Sequence, residues 1–347
     1  MAGSFQVPRC LVHVQLNGDT PFMAVFTRVL DHEAQDLLKD YSLGSLSSLT
    51  GIAAGIENTN YFLDTTHGHY VLTIFEVLGA QQLPFYVELM YTLAKQGLSV
   101  PEPQTRRDGQ RISCLHGKPA IIVSKLPGQW VRQPNAQHGA VAAKTMAQIH
   151  LAAQAFPIKQ PNLRALAWWQ ATAPTLTEYL NGAQHELLRH ALQKQIDLAA
   201  SGELAALPYG PAHCDYFRDN VLFTGSAQAP ELGGVIDFYF AGCDYWLFDL
   251  AVAVNDWCID HTSGALKADL LDSWLTAYQS VRALTPLERR LWPDMLEAAA
   301  LRFWISRLYD FYKPRPAETL KPHDPTHFER ILEMRVRLAP PAIPEAP

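Results

Sequence analysis

Apolar residues fall into short, strand-length runs separated by Gly-containing turns over roughly the first 125 residues, and beyond that into longer runs at helical spacing. Asp31 opens a short helix to about Tyr41, with Ala34, Leu37 and Leu38 on its apolar face. The small-residue loop Gly51–Asn60 enters a strand, and a His67-Gly68 turn followed by the strand His69–Phe75 completes a hairpin. Within Leu83–Gln96, Tyr86, Leu89, Met90 and Leu93 recur at helical spacing, and Gly97 ends the helix. Strands near Arg111–Leu115 and Pro119–Val123 flank a His116-Gly117 turn, and Leu126-Pro127-Gly128 then breaks the regularity. The pattern predicts an α+β chain of two lobes: residues 23–125 as a small antiparallel-sheet lobe with one long helix, and 126–339 as a larger, mostly helical lobe. Residues 1–22 read as an N-terminal extension, and the proline-rich 340–347 as a disordered tail.

In the second lobe, the runs Asn220–Phe223 and Leu232–Ile236 predict a hairpin, and chemistry gathers around it. The order is His213-Cys-Asp215, then Asn220, then Ile236-Asp237-Phe238. Phosphoryl transfer to a hydroxyl needs one carboxylate beside the nucleophile, with an amide and a second carboxylate on a metal ion. Asp215 is thus the candidate base, and Asn220 and Asp237 are candidate Mg²⁺ ligands, since Mg²⁺ takes oxygen donors. Each residue alone would pass for turn punctuation; the joint spacing with its apolar flanks selects a phosphotransferase.

A sheet lobe ahead of such a loop suggests ATP. Gly55 would let backbone N–H groups approach phosphates, and Asn58, Thr59 and Asn60 add side-chain donors. Val123–Leu126, with Ser124 and Leu126, falls where a hinge would present backbone groups to an adenine edge. Thr285-Pro286-Leu287-Glu288 opens a long helix with a capping box and Pro at its first position. That helix places Arg302, Ser306 and Asp310 on one face with Arg307 beside them, and a helix over Leu247–Ile259 carries Asn255, Asp256 and Asp260. Arg302 or Arg307 would suit a substrate carboxylate, and Asp256, Asp260 or Asp310 an ammonium.

Composition narrows the class further. A chain of 347 residues can bury a substantial core. Its net charge of −6 comes without a basic, aromatic-interleaved stripe, which argues against nucleic acid. No apolar run approaches a membrane span, and His13 and Gln15 interrupt Leu11–Leu16, which disfavours a secretory signal. Cys10, Cys114, Cys214, Cys243 and Cys258 are scattered and odd in number, so buried reduced thiols in a cytoplasmic enzyme are expected.

The stretches GIAAGIENTNYFLDTTHGHYVLTIFE, HCDYFRDNVLF, GVIDFYFAGCDYWLFDLAVAVNDWC and ALRFWISRLYDFYKPRP resemble the homoserine kinases of the aminoglycoside-phosphotransferase-like, or choline kinase-like, superfamily. The likeness runs from Met23 to about Arg337. It implies a two-lobed protein-kinase-like fold and Mg-ATP-dependent phosphorylation of the L-homoserine hydroxyl; the sequence leaves monomer or homodimer open. It assigns Asp215 as base or hydroxyl-orienting group, Asn220 and Asp237 to metal, Asp249 to bracing the loop, and His213 to a structural role. Other small alcohols, such as choline, ethanolamine, hydroxylysine or an aminoglycoside, stand as alternative acceptors, and a non-catalytic nucleotide-binding module as an alternative class. Two features depart from the family pattern. Thr73 stands where these kinases place a phosphate-gripping Lys or Arg, whose usual helix partner would be Glu88. Family members also often begin at the position of Met23.

Overall fold

The computed structural model describes residues 27–52, 58–79, 81–314 and 323–343. Two compact units divide them: residues 27–95 with Val100–Leu126, and Gln96–Ser99 with 127–314 and 323–343.

The first unit is a five-stranded antiparallel sheet of β1 (Leu46–Ile52), β2 (Asn58–Thr65), β3 (Gly68–Phe75), β4 (Ser113–Leu115) and β5 (Lys118–Ser124), in the order β1-β2-β3-β5-β4. Helix α1 (Asp31–Leu38) buries Ala34, Leu37 and Leu38 in one cluster with Tyr61, Leu63, Leu72, Ile74, Ala120 and Ile122, which are alternate residues on three adjacent strands. By the same alternation, Asn60 and Thr73, paired across β2 and β3, occupy the opposite face. Helix α2 (Leu83–Lys95) buries Tyr86, Leu89, Met90 and Leu93 as the spacing predicts. β1 was not anticipated: Ser47, Ser48 and Thr50 give it no apolar alternation, and it is held by pairing with β2 and by Leu46 and Leu49 packed against the α1 cluster.

The second unit is mostly helical, with α3 (Ala136–Ala153), α4 (Leu166–Thr172) and α5 (Gly182–Ala200) ahead of a short β6 (Tyr209–Ala212). The predicted hairpin is β7 (Val221–Gly225) with β8 (Pro230–Val235), while β9 (Gly242–Tyr245) pairs with β6. The remaining helices are α6 (Trp246–Trp257), α7 (Ala268–Gln279), α8 (Pro286–Tyr312) and α9 (Thr326–Arg337). All twelve residues of α6 are buried, so this helix is the spine of the unit. Thr285 accepts from Glu288 N–H and Glu288 from Thr285 N–H, the expected capping box. No helix among the described residues is long and apolar enough to cross a membrane. Cys214, Cys243 and Cys258 are buried free thiols, but Cys114 lies exposed on β4, against the expectation of burial.

Gly128 illustrates how tightly the hairpin is seated. Gln129 and Phe223 exchange both backbone hydrogen bonds, at 3.0 and 2.8 Å. With φ +88°, Gly128 sits in the left-handed region, and a Cβ there would collide with the Phe223 carbonyl. Gly128→Ala is therefore expected to cost about 2 kcal/mol or more in urea unfolding; an unchanged midpoint would refute the assignment.

Candidate active site

Sequence locality builds the core of the site. β6 ends at Ala212 and the chain turns sharply, with Cys214 at φ +61°, an uphill position for a residue with a Cβ. Three hydrogen bonds hold this turn. Asp249 of α6 accepts from the His213 N–H at 3.0 Å and the Cys214 N–H at 2.7 Å, and the His213 ring Nε2 bonds the Ile236 carbonyl at 2.9 Å. His213 Nε2 is therefore the protonated nitrogen, and the ring ties the loop to the end of the hairpin. The loop is thus tied at one end to the buried helix and at the other to the hairpin.

The hairpin register then sets the remaining groups. Val221 pairs with Val235, and the Ile236 N–H donates to the Asn220 carbonyl at 2.9 Å, so Asn220 and Asp237 flank one end of the hairpin. Asn220 Nδ2 donates to the Asp215 carbonyl at 2.9 Å and to its carboxylate at 3.3 Å. This turns the Asn220 amide so that Oδ1 accepts no hydrogen bond from the described residues. Asp237 has φ +62°, which aims its side chain out of the regular strand direction. One amide oxygen and one carboxylate at a hairpin end are a hard-oxygen donor set that fits Mg²⁺. Of the three residues read from spacing alone, Asp215 and Asn220 are bonded to each other, and Asp237 follows directly on the residue that bonds the Asn220 carbonyl.

Burial raises the Asp215 carboxyl above the usual carboxylate range, against the pull of Arg302, His213 and Arg307. Arg302 on α8 is the notable counter-charge. It is only 3% exposed, its guanidinium lies over the Phe303 and Phe240 rings at 3.7 and 5.6 Å, and its Nε is buried without a partner. Among the described residues it makes no hydrogen bond or ion pair. Burial brings its pKa down to about 10, with Asp215 pulling the other way. Arg307 is half-buried on the next turn and equally unpaired.

Of the three candidate carboxylates, Asp256 accepts from the Arg218 N–H at 2.9 Å and lies 3.5 Å from its guanidinium. Burial pushes its pKa up to about 6. Asp260 is spent on the turn amides of Thr262 and Ser263, at 3.1 and 2.8 Å. Asp310 makes no such bond in the described residues. The Arg218 guanidinium also bonds His261, which stacks on His327 with centroids 5.8 Å apart. Sequence reasoning missed this set, because neither histidine sits in a recognisable spacing.

The nucleotide-side candidates lie in the first unit. Thr73 is buried and donates to Asn60 Oδ1 at 2.8 Å, so a hydroxyl–amide pair fills the place of the expected cation. Thr59 lies on the opposite face, donating to Glu76 at 2.6 Å; Glu76 also binds Thr27 and Lys118. Asn58 is buried with Oδ1 unpartnered. Ser124 spends its N–H on the Glu102 carbonyl and its Oγ on the Glu102 N–H, whereas Leu126 bonds no other backbone group among the described residues. Gly55 lies outside the described residues. Glu88, expected to face a missing cation, instead pairs with Arg111 at 2.8 Å, whose guanidinium stacks 3.4 Å from the Tyr91 centroid. A cavity of about 280 Å³ lined by Trp169, Tyr209 and Asp244 holds none of the loop residues.

Comparison with known proteins places this geometry. The model of the phosphotransferase enzyme family matches residues 48–284. Homoserine kinases of Burkholderia cenocepacia (strain HI2424) and Burkholderia multivorans (strain ATCC 17616 / 249) are each 53% identical over 327 residues, covering 93% of this chain and 98% of theirs. Among solved structures, amicoumacin kinase hAmiN in complex with AMP-PNP, Ca²⁺ and Ami matches with TM-score 0.64 and 16% identity, over 87% of this chain and 92% of that one. A microcompartment-associated aminopropanol kinase matches with TM-score 0.61 and 18% identity, over 87% and 93%. The fold is the kinase-like one that the resemblance implied.

Proposed function

We propose that this chain, which belongs to the phosphotransferase enzyme family and groups with its homoserine kinases, transfers the γ-phosphoryl of Mg-ATP to the side-chain hydroxyl of L-homoserine. The observation that carries the acceptor reading is the buried, unpaired Arg302 guanidinium within electrostatic reach of Asp215. A buried cation without a partner is costly, and a substrate carboxylate would supply one by a bidentate contact. Choline and ethanolamine carry no carboxylate and would leave it unmet.

In this reading Asp215 accepts a hydrogen bond from the acceptor hydroxyl and orients it in line. The pull of Arg302 offsets part of the rise that burial imposes on its carboxyl. Asn220 and Asp237 would hold Mg²⁺, which supplies charge neutralisation at the phosphates. Arg302 and Arg307 take the homoserine carboxylate. Asp310 takes the ammonium, while Asp256 orders Arg218 beside the loop. On the nucleotide side, amides and hydroxyls of Asn58, Asn60 and Thr73 substitute for a phosphate-gripping cation, and Leu126 backbone groups meet the adenine.

ADP release from Mg-ATP tests the function with L-homoserine beside choline, ethanolamine, hydroxylysine and kanamycin. Saturable turnover with homoserine alone is expected; turnover with another alcohol and none with homoserine would overturn it. Arg302→Met is expected to raise the homoserine KM by about 30-fold or more, with the ATP KM unchanged. A normal homoserine KM in that variant would remove Arg302 from the acceptor site.

A further inference from the structure

Behind the catalytic loop runs a buried chain of polar side chains that the phosphoryl-transfer reading leaves unused. His150 of α3 is fully buried, with its ring stacked on Trp246 at 5.3 Å. Its Nε2 lies 2.9 Å from Asp249 Oδ2, and its Nδ1 lies 2.7 Å from the Tyr278 hydroxyl. Tyr278 in turn accepts from Arg282 Nε at 2.7 Å. Arg282 forms a two-pronged pair with Glu288, the carboxylate that caps the start of α8.

The chain is assigned from both ends: the Asp249 carboxylate, which accepts from two backbone amides, can only accept from His150 Nε2 as well. Arg282 can only donate, so its N–H occupies a lone pair of the Tyr278 oxygen. The Tyr278 hydroxyl proton is then free to point to His150 Nδ1. A ring that accepts at Nδ1 while remaining neutral carries its proton on Nε2, where it faces the carboxylate of Asp249. Asp249 is the group that holds the His213 and Cys214 amides, including the left-handed Cys214 turn.

We propose that Tyr278 and Arg282 are positioning residues for phosphoryl transfer, holding His150 as the neutral Nε2–H tautomer so that Asp249 keeps the loop carrying Asp215 in its reactive geometry. This rests on the kinase reading given above. Burial lowers the His150 pKa, and Arg282 adds to that while Asp249 and Glu288 oppose it. The charged or titratable groups around the ring are Asp249 from α6, Tyr278 and Arg282 from α7 and the turn after it, Glu288 from α8, and His213 beyond Asp249. A histidine that stays neutral when folded takes its second proton more readily when unfolded. The stability this group confers is therefore present above about pH 6.5 and is lost as pH falls below it.

Two measurements test the proposal. In ¹⁵N-histidine spectra of the whole chain, identified by loss of the signal in His150→Gln, His150 is expected to keep the Nε2–H neutral signature down to pH 5.5. Titration near pH 6.5, or an Nδ1–H signature, would overturn it whichever acceptor the enzyme uses. In kinetics, His150→Leu is expected to lower kcat about 10²-fold with the ATP KM within twofold. His150→Gln, which keeps a donor toward Asp249, should recover at least about tenfold of that loss. Tyr278→Phe should fall between the two. Equal kcat in the Leu and Gln variants, or losses confined to thermal stability, would reduce the chain to ordinary core packing. If the wild type itself fails to phosphorylate homoserine, the acceptor reading falls while the spectra still decide the tautomer.

Discussion

Asp215→Asn is expected to leave ATP affinity near normal by calorimetry and to lower homoserine turnover by about 10²–10⁴. The substitution keeps the shape of the side chain and the Asn220 contact at the loop carbonyl, so the turn itself persists. What it removes is the acceptor for the hydroxyl proton and a negative charge close to Arg302. A loose phosphoryl-transfer transition state needs little early proton removal, so orientation of the hydroxyl carries most of the effect. The variant amide can still accept a weak hydrogen bond, which is why the loss is bounded. Turnover within a few-fold of wild type would take the base or orienting role from Asp215. A loss matched by an equal loss of ATP binding would instead mean that the loop had collapsed.

The proposed catalytic centre could be read from the sequence because its determinants are local. Asp215, Asn220 and Asp237 lie within 23 positions, and the hairpin register that unites them is encoded in two apolar runs. Asp249 and His213, expected to brace the loop, do bond it, but the groups behind Asp249 were not legible. His150 meets Asp249 across 99 positions and Tyr278 across 128, and no periodicity links such distant residues. Their signal is combinatorial: a histidine on a buried helix face demands a polar partner, but the sequence does not say which. The same limit explains Glu88, whose cation comes from Arg111 just before an edge strand and not from the strand that Thr73 occupies. Strand β1 escaped for the opposite reason, since a serine-rich edge strand gains its order from its neighbour and shows little alternation of its own.

Removing the Asp237 carboxylate should abolish the gain in ATP affinity that Mg²⁺ confers, and the choice of substitution decides whether that result can be read. Alanine at φ +62° would add backbone strain of about 1–3 kcal/mol, so Asp237→Ala mixes a folding defect with a lost ligand. Asparagine tolerates the left-handed conformation and preserves volume, so Asp237→Asn isolates the charge. With EDTA present, the wild type and Asp237→Asn should bind ATP alike. With Mg²⁺ added, only the wild type should tighten, and the variant should lag by at least about tenfold, or about 1.4 kcal/mol. Equal tightening in both would mean that the hairpin end is not where the metal is held, and Asn220 would then have to be reassigned with it, since the same register places them both.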